Sequence, residues 1–302
     1  MHPQNSIESL LSQLDPGNYR VLPRLISLVE NQPNLALKIL GKIPARNIPV
    51  IGITGPPGAG KSTLLSGLIE YLRSQNKKIG VIAVDPSSPF SMGSVLGDRI
   101  RMQTHSMDPG VFIRSMSSRG NLGGLSASSS DILGLFQAFD FDYIFIETVG
   151  VGQSEVEVIG LANCVVVVLV PESGDEVQSI KSGLIEIADI LVVNKSDRPG
   201  AGKLLGYLTE MLQDKEFKGD IDLLKTQAEF KIGIPELMEA CESHLKTISK
   251  TKKVYQKMQQ IYQILKREKM KELDLISIQQ KLDREIDHPD FNLYRFILEL
   301  GL

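Results

Sequence analysis

Cysteine is nearly absent. Only Cys164 and Cys241 occur in 302 residues, which excludes a disulfide framework, and neither has the CxxC or Cys/His companions of a zinc site. Such sparse use points to a reducing compartment, with Cys164, inside the run from Leu161 to Val170, read as a small buried apolar residue. Long apolar runs are also missing: none approaches the roughly 20 residues of a membrane span. The opening stretch, Met1 to Ser9, lacks the charged and apolar regions of a signal peptide, so the expectation is a soluble, cytoplasmic protein. An excess of either charge is lacking too. Lys and Arg number 33 against 36 Asp and Glu, a net charge of −3, which gives no global electrostatic reason to bind nucleic acid or an anionic membrane. What is present, 42 % hydrophobic and 23 % charged residues, is the composition of a folded chain with a sizeable core.

The length suits two domains or one large α/β domain with helical extensions. Residues 1–45 read as a helical extension. Ile7, Leu10, Leu11 and Leu14 share a face, Pro16-Gly17 breaks the pattern, Val21, Leu22, Leu25, Ile26 and Val29 mark a second helix, and Leu35 to Leu40 a third. From 46 to 244 short apolar runs alternate with helical stretches: Ile48–Ile53, Lys78–Val84, Val111–Ile113, Tyr143–Ile146, Val165–Val170, Ile190–Val193 and Ile221–Leu224. Val/Ile-rich runs separated by helices predict a mainly parallel sheet covered on both faces, a doubly wound α/β domain. Residues 245–302 are Lys- and Gln-rich and helical, with Met258, Ile261, Tyr262 and Leu265 on one stripe. That stripe is either a partner or dimerisation surface or packs back on its own domain. Lysines 246, 250, 252, 253 and 257 read as a solvated face rather than a nucleic-acid site, since no aromatic stacking pattern accompanies them.

The chemistry begins at Gly55-Pro56-Pro57-Gly58-Ala59-Gly60-Lys61-Ser62-Thr63, which matches G-x-x-x-x-G-K-[ST] between an apolar strand and a helical run. Such a loop turns its backbone N–H groups on a β-phosphate, assisted by the helix N-terminus. Lys61 then reaches the β- and γ-oxygens, and the Ser62 hydroxyl is placed for Mg²⁺. A glycine-rich turn matching by chance would lack the flanking strand and helix. Asp85 and Glu147 each end a strand, on the ligand side of an open α/β sheet. Glu147, followed by Gly150, has a Walker-B-like setting in which the acid serves Mg²⁺ or its waters; alone, either acid would pass for a helix cap or a solvated strand end.

Asn194-Lys195-Ser-Asp197 follows another strand as N-K-x-D. A carboxylate at Asp197 accepts two hydrogen bonds from guanine N1–H and the 2-amino group, a donor pair that adenine lacks, and a buried acid left without donors rejects the wrong base. Asn194 is expected to hold the loop together and the Lys195 stem to cover the base. The expected nucleotide is GTP rather than ATP.

Taken with Ala83–Phe90, Leu96–Met102, Ile113–Met116, Arg119-Gly120, Gly123–Leu125, Glu147–Glu155 and Gly174-Asp175, these motifs closely resemble the MeaB/ArgK-type GTPases. That family comprises the methylmalonyl-CoA mutase-associated G-protein chaperones of the SIMIBI class of P-loop GTPases. The likeness runs over about residues 7 to 240. It implies a homodimeric GTPase that escorts an adenosylcobalamin-dependent acyl-CoA mutase, gating cofactor loading and protecting or rescuing the enzyme. It further implies that Asp85, Asp98 and Glu147 form an acidic cluster around Mg²⁺ beside Lys61 and Ser62, and that 85–116 and 147–155 hold switch segments. Two positions depart from the family: Asn121 replaces the histidine of Arg-Gly-His, and Thr226-Gln227-Ala228 replaces Thr-Ser-Ala, with the Ala228 N–H still expected at guanine O6. Older labels tied this family to a lysine/arginine/ornithine transport system, which no residue here supports.

The implied reaction is phosphoryl transfer from GTP to water by positioning and electrostatics. Gln153 either orients the attacking water or makes a polar loop contact. Arg99, Arg101 and Arg119 are candidate charge stabilisers or salt-bridge formers. With no obvious general base, hydrolysis is expected to be slow without a partner. Two other classes compete. A nickel-insertion GTPase would carry a His-rich or Cys/His cluster, whereas His2, His105, His244 and His288 are scattered; a small-molecule kinase would have no use for N-K-x-D.

Overall fold

The computed structural model describes residues 3–85, 105, 107–117, 127–148, 160–173, 185, 187–213, 221–270 and 275–285. Strands are β1 (Val50–Thr54), β2 (Ile79–Asp85), β3 (Val111–Ser117), β4 (Tyr143–Glu147), β5 (Cys164–Leu169), β6 (Ile190–Val193) and β7 (Asp222–Lys225). Helices, labelled in chain order among the described residues, are α1 (Pro3–Ser12), α2 (Leu22–Asn31), α3 (Ala36–Leu40), α4 (Lys61–Ser74), α5 (Ala127–Phe136), α6 (Ala201–Gln213), α7 (Ile234–Thr247), α8 (Lys250–Met270) and α9 (Leu275–Glu285).

The strands form one sheet in the order β3-β2-β4-β1-β5-β6-β7, and every pairing is parallel. The chain winds outward in one direction from β1 and then in the other, the doubly wound arrangement. β1 lies at the reversal, with Ile51 opposite Phe145 on β4 and Cys164 on β5. A reversal of strand order leaves a crevice at the carboxyl ends of the strands.

Alternate residues of each central strand feed opposite faces, so the continuous apolar runs serve two cores. Val50, Ile144, Ile146, Val165, Val167, Leu191 and Val193 pack under α2, α5 and α6 with Leu25, Ile26, Phe136 and Leu208. Ile51, Ile53, Phe145, Val166, Val168, Ile190 and Val192 pack under α4 and α7 with Leu65, Leu68, Leu72, Leu237 and Met238. Each fully buried aliphatic side chain contributes about 1.5–3 kcal/mol relative to exposure. The residues of α2 thus belong to the core of one sheet face.

Element ends differ from the sequence pattern by a residue or two. The run from Ile48 becomes strand only at Val50, after Pro49, and α1 ends at Ser12, leaving Leu14 in the following turn. β7 is one of the two edge strands and its first and last residues are exposed, so its apolar pattern is weak. The two cysteines are free, buried thiols in one core; a hydrogen bond with Cys241, and burial, push the Cys164 thiol well above its ordinary range.

The chain forms two compact units, Met1–Gln260 and Ile261–Leu302. Within the first, α8 is strapped down by one polar face. Lys252 Nζ donates to Asp189 Oδ1 at 2.6 Å, Gln256 Nε2 to the Ala162 carbonyl, and Gln260 Nε2 to the Gly160 carbonyl at 3.0 Å. Lys252 is therefore an ion-pair partner, which corrects the reading of that lysine as part of a solvated face. Met258 of the first unit and Ile261, Tyr262 and Leu265 of the second are each about half exposed or more. Among the described residues no helix is long and apolar enough to cross a membrane.

Candidate functional site

A cavity of about 790 Å³ opens where β1, β2, β4 and β6 end, lined by the loop before α4, the strand ends and the loop after β7. That volume suits a ligand of nucleotide size. Pro57, Gly58, Gly60, Lys61, Ser62, Thr63, Glu147, Asn194, Lys195, Asp197, Gln227 and Ala228, all expected from the sequence, line it together. Gly55, Pro56 and Ala59 lie in the same loop.

The loop between β1 and α4 is compact because its glycines permit it. Gly60 has φ +85° at the N-cap of α4, and a Cβ there would stand 2.5 Å from Asn194 Nδ2. Gly55, at φ +141°, would drive a Cβ to 2.1 Å from the Val168 carbonyl oxygen of β5. The first turn of α4, Lys61 to Thr63, lines the cavity, and the N-terminus of a helix favours an anion. Lys61 is buried, and its ammonium donates to the carbonyls of Gly55 at 2.8 Å and Pro56 at 3.0 Å.

Ser62 Oγ donates to Glu147 Oε1 at 2.7 Å, and both residues are buried. A hydroxyl and a carboxylate oxygen thus meet beside the loop. Such a hard-oxygen pair fits Mg²⁺, which takes oxygen ligands and keeps several waters. Thr148 Oγ1 donates to Thr54 Oγ1 at 2.8 Å, fixing the end of β4 against β1.

Asn194 spans the cavity floor. Its Nδ2 donates to the Ala59 carbonyl at 2.9 Å, while its Oδ1 accepts from Thr226 Oγ1 at 3.0 Å and from the Ala228 N–H at 3.1 Å. One side chain therefore joins the phosphate-type loop, the end of β6 and the loop after β7. The Ala228 N–H already has this partner, so an incoming oxygen would share it. Lys195, at φ +52°, donates from Nζ to the Gly58 carbonyl at 2.8 Å, which draws its stem along the cavity. Arg198 pairs with Glu172; that hydrogen bond holds the Glu172 carboxyl below its ordinary range and the guanidinium above its own.

Asp85 closes β2 and its neighbours Ala83 and Val84 line the cavity, but its side chain, Asp98 and Gln153 lie outside the described residues. The same holds for the arginines at 99, 101 and 119 and for Asn121. Sequence reasoning missed Thr148, Arg198, Glu229 and Phe230 among the lining residues. Adjacency to N-K-x-D could have suggested Arg198, and adjacency to Ala228 the other loop residues.

The profile of the methylmalonyl-CoA mutase-associated GTPase MeaB matches residues 22–281. A GTPase-family protein of Pyrococcus horikoshii is 48 % identical over 258 residues, 83 % of this chain and 81 % of that one. GTPase ArgK of Escherichia coli is 40 % identical over 193 residues, 62 % of this chain and 58 % of its own. The mouse mitochondrial methylmalonic aciduria type A homolog is 39 % identical over 210 residues, 64 % of this chain and 51 % of its own. A crystal structure described as a LAO/AO transport system kinase superposes with a TM-score of 0.65 at 24 % identity, covering 100 % of this chain and 98 % of that one, which speaks for the fold. With a matching profile over most of its length and relatives of this similarity, the chain belongs to the MeaB family of methylmalonyl-CoA mutase-associated GTPases.

Proposed function

We propose that the cavity binds GTP with Mg²⁺, hydrolyses it to GDP and phosphate slowly on its own, and uses that cycle to serve an adenosylcobalamin-dependent acyl-CoA mutase as a chaperone of cofactor loading. The observation that carries the nucleotide reading is the Asn194 side chain, which bonds the phosphate-type loop and the loop carrying Ala228 at once and so sets a fixed span between a triphosphate end and a base end. The Lys61 ammonium and the N–H groups of α4 hold the β- and γ-oxygens. Mg²⁺, when bound, neutralises charge on the β–γ bridge; Ser62 and Glu147, with Asp85 and Asp98, are the groups offered to it. Asp197 accepts from guanine N1–H and the 2-amino group. Gln153 orients the attacking water. Binding and alignment provide the rate, with no side chain asked to break a bond.

The partner reading rests on the family, described by its association with methylmalonyl-CoA mutase, and on the mouse relative named for methylmalonic aciduria. The exposed α8 stripe supports a homodimer through the C-terminal arm. Among the described residues no group of His, Cys, Asp and Glu would hold nickel: His105 shares a hydrogen bond with Ser66, and His244 lies beside Asp189 and Lys252.

Asp197→Asn tests the nucleotide reading. Losing a charge-assisted pair worth about 1.5–3 kcal/mol should weaken GTP roughly 10- to 150-fold, while the new amide donor should improve binding of the xanthine nucleotide, which has an oxygen at position 2. Preference for ATP in the unaltered protein would refute it. Co-purification with a cobalamin-dependent acyl-CoA mutase, and GTP-dependent protection of that mutase, test the partner.

A further inference from the structure

Phe230 closes the 3-10 turn Ala228–Phe230, is 64 % exposed, and is the one aromatic side chain among the described residues lining the cavity. A solvent-exposed ring on a loose surface loop would need no explanation. This turn is tightly built. The Phe230 N–H donates to the Gln227 carbonyl at 2.9 Å, and Gln227 and Ile232 exchange backbone hydrogen bonds at 3.0 and 3.2 Å. Lys231 holds a left-handed φ of +59° and pairs with Glu70 of α4. The Ala228 N–H then ties the turn to Asn194. Phe230 thus lines the same cavity as Lys195 and Asp197, on a turn tied by Ala228 to Asn194, the neighbour of Lys195.

We infer that Phe230 stacks on the face of the nucleotide base, adding affinity at the end where Asp197 reads the edge. The inference rests on the proposed nucleotide reading and deepens it. Every purine offers a π-face, so stacking strengthens binding without distinguishing bases; discrimination stays with Asp197. Removing the ring should weaken nucleotides that differ only at the purine edge by the same factor.

The test uses the full chain. In titration calorimetry Phe230→Ala should raise the Kd for GDP about tenfold and leave unchanged the ratio of the affinities for GDP and for IDP, which lacks the 2-amino group. The chain contains no tryptophan, so Phe230→Trp introduces a single indole. Its emission should be quenched on GDP addition, with Kd within about threefold of the parent, since either ring offers a face. Unchanged GDP affinity in Phe230→Ala, a shifted GDP/IDP ratio, or indole emission indifferent to saturating GDP would each overturn the inference while leaving the pocket reading intact. Failure of the unaltered chain to bind GDP is seen before any substitution, and would remove both.

Discussion

At the scale of single residues the cavity depends on atoms that are absent as much as on those present. Gly60 leaves room for Asn194 Nδ2, whereas at Gly58 an added Cβ would meet nothing within 4 Å although φ is +77°. The two positions separate strain from collision. Gly58→Ala carries only the left-handed penalty of about 1–2 kcal/mol. Gly60→Ala carries that and also displaces the amide joining the two loops. Gly60→Ala should therefore melt lower than Gly58→Ala and bind GDP more than tenfold more weakly than it, measured by thermal unfolding and nucleotide titration; equal effects would show that Asn194 does not organise the loop. The residues with a fixed spacing and chemistry, from Gly55 to Thr63 and from Asn194 to Asp197, were legible in the sequence because the spacing is the signal. Phe230 was not, because one ring in a polar loop has no pattern around it. The Cys164–Cys241 contact was equally invisible, since it joins β5 to α7 across more than 70 residues of chain.

At the scale of elements, α4 is held at its start and again within its length. Its start wraps the phosphate-type loop, and Ser66 Oγ lies 2.8 Å from Nε2 of the buried His105. Burial holds that imidazole below its ordinary pKa of 6.5, against the opposing pull of Glu70 and Asp108, and burial likewise lowers His244. Below about pH 6.5 the unfolded chain takes up protons that the native chain refuses, so stability is complete above that pH and falls as pH drops toward the depressed native values. The urea midpoint should be lower at pH 5.5 than at 7.5, and His105→Asn should reduce the difference, leaving the share due to His244. An unchanged difference would mean that His105 is not held neutral. Strand identity could be read from continuous apolar runs because both sheet faces are covered, and helix identity from the 3.6-residue period. The polar face of α8 misled at Lys252, since Lys252, Gln256 and Gln260 recur every fourth residue as solvated residues do, and only the positions of Asp189, Ala162 and Gly160 reveal them as a strap.

At the scale of the whole molecule, most of the exposed large apolar side chains among the described residues lie along α8. Val254, Tyr255, Met258, Ile261, Tyr262 and Leu265 are each about half exposed or more. If this surface joins two copies, as proposed, the unaltered chain should sediment as a dimer. Tyr262→Glu should then sediment as a monomer with its nucleotide affinity unchanged; a dimer that survives this charge would place the contact elsewhere. Composition foretold the core, but it is silent on assembly, because an exposed stripe and a packed one have the same period. The bridge made by Asn194 consists wholly of protein atoms. No atom of a guest is needed to close it, so discharge of spent nucleotide need not dismantle the vessel.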